Sequence, residues 1–148
     1  DGLHRMSDYT QVAFWLKKTL REAGDKFTIV MMHHPVYSTA KGRQNPLMWL
    51  TFYDAMREAD VVFSGHDHNY ARRTEYYKER FWKKEEPTIF IGTNASTKKY
   101  PVKENNKYEA SLSGEPVYEH IFVTPNTLHI STYTIHSAER IDNVEIIR

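Results

Sequence analysis

Three histidines in this sequence stand where imidazoles can meet. His33 closes the apolar run 27–32, and His66 and His68 flank Asp67 just after Gly65 and the apolar run 61–63. Imidazole is the commonest metal ligand among side chains and the usual acid or base near neutral pH. Read as extended chain, residues 65–68 turn His66 and His68 to one side and Asp67 to the other. Gly65 accepts backbone angles closed to other residues and so permits a sharp exit from a strand. Two imidazoles on one side, joined by His33 from a neighbouring strand end, grip one cation or two adjacent ones. Pro35 biases His34 toward extended geometry. That turns its ring away from His33 and leaves it a packing or supporting role. The sequence has no Cys, which removes thiolate ligands, disulfides and a cysteine nucleophile.

Two strand–helix units must deliver these side chains. A helix starts at about Asp8, with Gln11 completing a capping box, and carries Val12, Leu16, Leu20 and Ala23 at helical spacing beside Trp15. Gly24 ends it. Residues 27–32 are β-rich and apolar throughout, the pattern of a strand covered on both faces. Asn45 and Pro46 cap a second helix to about Ala59, with Leu47, Leu50, Tyr53, Ala55 and Met56 as its inner face. Residues 60–64 form a second short strand. The helix between them serves as a crossover, which makes the two strands parallel. Ligands of open α/β sheets gather outside the carboxyl ends of such strands, where His33, His66 and His68 stand. Residues 72–86 are a charged excursion, 88–92 a third strand and 93–116 a long loop. A hairpin spans 117–123 and 128–134, with a last strand at 141–147.

Composition narrows the classes. A chain of 148 residues favours one domain. With 40% apolar and 26% charged residues it is neither disordered nor collagenous. Twenty Lys and Arg against 19 Asp and Glu demand no polyanionic partner. We therefore expect neither a nucleic-acid nor a membrane partner. The mixture of aromatic and basic residues in 72–86 is the nearest approach to a nucleic-acid surface, and its acidic residues offset most of that charge. Asn94-Ala95-Ser96 fits a glycosylation sequon, a triplet too common to decide anything.

The sequence Val30-Met31-Met32-His33 with Pro35, followed by Gly65-His66-Asp67-His68, resembles the last two motifs of the calcineurin-like metallophosphoesterases. The continuation His66-Asp67-His68-Asn69-Tyr70-Ala71-Arg72, the run 11–16 with Trp15, the stretch Pro35-Val36-Tyr37-Ser38, and the hairpin 118–133 with Asp142 resemble the purple acid phosphatase branch. The resemblance spans residues 8–147. It implies the C-terminal half of an α/β/β/α sandwich, with a mixed sheet of about six strands and two main helices. It implies a binuclear site in the complete parent, iron paired with zinc, manganese or iron. His33 and His66 would bind one metal and His68 the other. Tyr37, Tyr70 and Arg72 would contact the phosphate ester, with Ser38 and Arg43 on the same rim. The reaction implied is hydrolysis of a phosphoric ester, with a secreted or periplasmic location for the parent. His4, His120, His129 and His136 are read as structural.

The family's first three motifs, which supply the bridging aspartate, a second aspartate, the tyrosine of the purple enzymes and an asparagine ligand, lie upstream of the first histidine motif. None matches in the 29 residues before Val30. Residues 1–148 are thus read as a partial catalytic domain whose N-terminal half is a missing partner. Alone, it would bind metal weakly or partially and be inactive. The alternative is a non-enzymatic binding module on a degenerate scaffold of the same family. Loss of half the domain would also uncover an apolar surface and favour self-association.

Overall fold

A computed structural model describes the backbone of residues 2–77, 87–104 and 107–148, and the side chains of these from residue 8 onward. Ten elements follow in order: α1 (Gly2–Glu22), β1 (Ile29–Met32), α2 (Pro46–Met56), β2 (Val61–Ser64), β3 (Tyr70–Glu75), β4 (Thr88–Gly92), β5 (Ala110–Leu112), β6 (Val117–Val123), β7 (Thr127–Thr134) and β8 (Arg140–Ile147). They build a five-stranded mixed sheet in the order β1-β2-β4-β3-β5 and a three-stranded sheet in the order β6-β7-β8. The fold is mixed α/β, with five strands in the main sheet where about six were expected. β1, β2 and β4 run parallel in register, so Met32 lies beside Ser64 and Ser64 beside Gly92. Their carboxyl ends share one edge, as the crossover reading requires.

Alternation of side chains divides the interior in two. Val30, Val62 and Phe90 face the helices and pack with Ala13, Phe52 and Met56. Val61, Phe63, Ile89 and Ile91 face the other way and meet Val117, Leu128 and Ile130 of the second sheet. The helices are joined to each other by Arg21, which donates from Nη2 to Glu58 Oε1 at 2.7 Å, and by Lys17 on Asp54. Asn45 caps α2 by accepting from the Met48 N–H at 3.2 Å.

A polar junction ties the sheets together. Asp142 on β8 accepts from Arg72 Nε at 2.5 Å, from Arg72 Nη2 at 3.0 Å and from the Tyr70 hydroxyl at 2.6 Å. Glu109 takes Arg72 Nη1 from the other side. Burial alone would raise the Asp142 carboxyl, but the hydrogen bonds from Arg72 and Tyr70 and the guanidinium charge outweigh it and hold Asp142 below its ordinary value.

Several local expectations are corrected. α1 begins at Gly2, so Asp8 lies inside it and caps nothing. Its buried contact is Ala13, whereas Val12 and Trp15 are exposed. On α2 the buried residues are Met48, Phe52, Ala55 and Met56, and Leu50 faces solvent. β1 is an edge strand among the described residues, which leaves Met31 74% exposed instead of covered. Residues 72–75, expected at the start of a surface excursion, belong instead to the largely buried strand β3, where Tyr70 and Arg72 find a partner on β8. Residues 78–86 of that excursion lie outside the described residues. The loop at 93–116 contains the short strand β5, paired with β3.

Candidate metal centre

His33 follows β1 and Gly65 follows β2, so parallel pairing brings their loops side by side. The rings of His33 and His66 lie 5.3 Å apart, centroid to centroid, in an edge-to-face arrangement. His34 joins them, 4.9 Å from His33 and 4.4 Å from His66. One ring nitrogen from each of the three falls within 4.8 Å of the others. Two consecutive histidines of one loop thus meet a third from the next. His34 was expected to turn away. Only a strictly extended backbone alternates side chains, and the chain leaves β1 at Met32.

The backbone at 65–68 is not extended either. His66 has φ 68° and His68 φ 50°, while Gly65 is absent from the positive-φ residues. The Asp67 N–H donates to the Gly65 carbonyl at 2.8 Å, which closes a three-residue turn centred on His66. Left-handed φ is uncommon for a non-glycine residue and costs free energy unless the surroundings enforce it. Here they do. Asp67, only 2% exposed, accepts at Oδ2 from the Thr39 N–H (2.5 Å), the Ser38 hydroxyl (2.8 Å) and the Ala40 N–H (3.1 Å). Asn69 adds a further bond, accepting from Thr39 Oγ1 at 2.5 Å. The loop after β2 is therefore stitched to the loop after β1 by a buried carboxylate. The sharp exit expected of Gly65 is made by the histidines instead. Gly65 keeps the space: a Cβ there would stand 3.6 Å from His33 Nδ1.

His68 occupies different surroundings. Its Nδ1 pairs with Ser96 Oγ at 2.9 Å and its ring lies 5.3 Å from that of Tyr100, edge on. Tyr100 is fixed to it through a backbone N–H donated to the His68 carbonyl at 3.2 Å. With Nδ1 engaged, Nε2 is the nitrogen left to accept a cation, the usual arrangement of a ligating imidazole.

Arg43 completes the surroundings of His66. Residues 40–43 form a turn, closed by Arg43 N–H on the Ala40 carbonyl at 3.4 Å, with Gly42 at φ 75°. Only glycine enters that region freely, which suits the third position of such a turn. Arg43 Nη2 donates to His66 Nε2 at 2.6 Å. Burial, then the charge of Arg43, then His34, hold the His66 imidazole below its ordinary value. A guanidinium has no acceptor, so the nitrogen it meets carries a lone pair.

Imidazole nitrogens suit a divalent transition cation, and the spacing of these three could hold one such ion. The cluster holds no carboxylate among the described residues, so nothing in it bridges a second ion.

The calcineurin-like phosphoesterase profile matches residues 2–70, the stretch that contains all of these histidines. No curated protein sequence matches this chain. Among solved structures it is similar to the purple acid phosphatase PPD1 from yellow lupin seeds, at 15% identity and a TM-score of 0.70, over 90% of this chain and 28% of that one. It is also similar to GAP50, the anchor in the inner membrane complex of Plasmodium, at 20% identity and a TM-score of 0.66, over 89% of this chain and 40% of that one. At these identities the likeness is one of fold. The chain spans less than half the length of either structure.

The remaining residues expected at the site are engaged as follows. Tyr70 is 1% exposed and Arg72 9%, both committed to the Asp142 junction. The Tyr37 ring packs on Phe90 at 4.8 Å and under the Arg73 guanidinium at 3.9 Å. Burial, with Tyr53 and Tyr77 nearby, pushes its phenol up from its ordinary value. Asn94 is buried, and its Nδ2 donates to the Ser96 and Lys98 carbonyls, so the sequon braces the loop beside His68. His129 pairs with Asn143 and His136 with Glu115, away from the cluster. Sequence reasoning did not anticipate the Arg43–His66 contact or the roles of Ser96 and Tyr100, since no local pattern joins residues this far apart.

Proposed function

We propose that this chain is part of a metal-dependent phosphoric ester hydrolase of the acid phosphatase type, with His33 and His66 holding one divalent cation and His68 contributing to a second. The observation that carries this reading is the meeting of His33 and His66, delivered by separate parallel strands, at a ring separation of 5.3 Å. His34 supplies a third nitrogen to the same group. When bound, cations supply Lewis acidity toward the phosphoryl oxygens and activation of water for in-line attack. The chain's own part is positional. Asp67 holds the two loops in register, the positive-φ turn aims His66, and Ser96 orients His68.

A cobalt or zinc titration followed by calorimetry tests this. The chain is expected to bind about one equivalent, and His66→Asn, which keeps a residue tolerant of positive φ, should weaken binding by about a hundredfold, the order expected when a ligand or its support is lost. Joined to a segment carrying the family's upstream motifs, the protein should take up a second cation and release phosphate from an aryl phosphate, with most turnover lost in His66→Asn. Alone it should turn over little, because no carboxylate joins the imidazoles. Unchanged cation affinity in His66→Asn overturns the proposal. Stoichiometric binding without hydrolysis in the joined protein would favour the alternative, a binding module on the same scaffold.

We further propose that the apolar surface beside β1 takes a second copy of this chain. A cavity of about 260 Å³ opens there, lined by Met31, Met32, Phe63 and Ile121. Glu119 lies in the same wall, raised from its ordinary value by burial. Phe122, Val123 and Ile147 are exposed on the second sheet. Exposed apolar surface combined with a free strand edge favours association. The mass from light scattering should rise with concentration, and a constant monomer mass counts against this surface.

A further inference from the structure

The arginine on His66 has a use that the metal reading does not absorb. Arg43 Nη2 lies 2.6 Å from His66 Nε2, and Arg43 Nε forms an ion pair with Asp67 Oδ1 at 3.5 Å without a hydrogen bond. The guanidinium also lies over the Tyr100 ring at 4.8 Å, and Lys98 Nζ lies over the same ring at 5.5 Å. Two cations thus share one aromatic ring. Lys98 forms no salt bridge with a carboxylate among the described residues, and the adjoining imidazole cluster contains no carboxylate. Asp67 balances one of the two charges, and the ring offsets only part of the one that remains. An oxyanion would offset the rest, and a guanidinium fork matches phosphate oxygens in particular.

The geometry also links this charge to the imidazoles. Arg43 donates to a lone pair that a cation at His66 would need. A lone pair serves one partner at a time. A cation that takes His66 therefore frees the Arg43 donors at the edge of the cluster, beside Lys98 and Tyr100. We propose that Arg43, Lys98 and Tyr100 form a phosphate-binding site next to the imidazole cluster, and that Arg43 is held on His66 until a cation claims that ring. The proposal rests on the phosphoesterase reading and names the side chains that would hold the phosphoryl oxygens. It makes cation and phosphate binding mutually reinforcing, and such coupling is reciprocal.

The test uses the whole chain with two probes, Co²⁺ and inorganic phosphate, in Arg43→Met, Lys98→Met and wild type. Arg43→Met should bind Co²⁺ about tenfold more tightly than wild type, because the competing donor is gone, and the visible band of the bound ion should persist. In wild type, saturating Co²⁺ should strengthen phosphate binding by about tenfold, a typical coupling. That enhancement should vanish in Arg43→Met. Lys98→Met should weaken phosphate binding several-fold, on the order expected for one charge-assisted contact, and leave Co²⁺ affinity unchanged. Equal Co²⁺ and phosphate affinities in wild type and Arg43→Met overturn the proposal while leaving the metal reading intact. If neither chain binds Co²⁺, the metal reading fails. Phosphate titration of the metal-free chains then decides the anion site separately, and equal affinity in all three overturns it.

Discussion

Replacing Asp67 with alanine is expected to be the most destabilising single change near the site. Its Oδ2 accepts from two backbone N–H groups and the Ser38 hydroxyl, all on the loop after β1. Ser38, Thr39 and Ala40 are themselves buried, so their donors would face no water once the carboxylate is gone. Stranding buried donors, with a guanidinium nearby, costs about 3 kcal/mol or more. For a chain of this size that lowers the thermal midpoint by about 10 °C. The same change removes what holds His66 at positive φ. Cobalt affinity should fall by about 10- to 100-fold, the range for loss of a group that orients ligands. Asp67→Asn keeps one acceptor oxygen and should recover part of both losses. Calorimetric melting and a cobalt titration read the two effects side by side. A midpoint within a degree of wild type would show that Asp67 does not tie the loops together.

The second large effect belongs to the junction between the sheets. Arg72→Met should destabilise by about 3–5 kcal/mol, the cost of stranding a buried carboxylate, with the imidazole cluster left in place. Its dependence on pH gives the prediction a sign. Burial tends to raise Asp142, but hydrogen bonds from Arg72 and Tyr70 and the guanidinium charge hold it below its ordinary value. A carboxyl depressed in the folded state contributes stability above its unfolded value of about 3.9, and that contribution is lost as pH falls through the folded value. Without Arg72 burial prevails, and the sign reverses. The carboxyl then prefers its proton in the folded state, so acidification toward about pH 4 relieves the variant. Urea unfolding of both proteins at about pH 7 and pH 4 should show the gap narrowing in acid. A gap that stays constant would place the main contribution of Arg72 in packing instead of charge.

Much of this molecule is legible in its residues because its signals are local. The apolar run 27–32, the Asn45-Pro46 start of α2 and the turn between β6 and β7 each announce themselves within a few positions. The parallel pairing of β1 with β2 follows from the crossover between them, and it brings His33 to His66. What escaped the reading depends on distant partners. Met31 has the sequence signature of a covered strand residue, yet it lies on a sheet edge. Tyr70 and Arg72 read as phosphate contacts after a histidine motif, and no local pattern shows that Asp142, seventy positions on, holds Arg72. His34 and Arg43 reach the cluster because the chain turns after β1, and no periodicity encodes that turn.

The left-handed geometry at positions 66 and 68 bears on how sequence variation at the site should be read. In a saturation library, β-branched substitutions at both positions would be depleted for backbone reasons alone, while asparagine and glycine would survive folding selection. Depletion there is no signature of cation binding. Only the contrast between histidine and asparagine, two side chains that the same turn admits, isolates what the imidazole itself contributes.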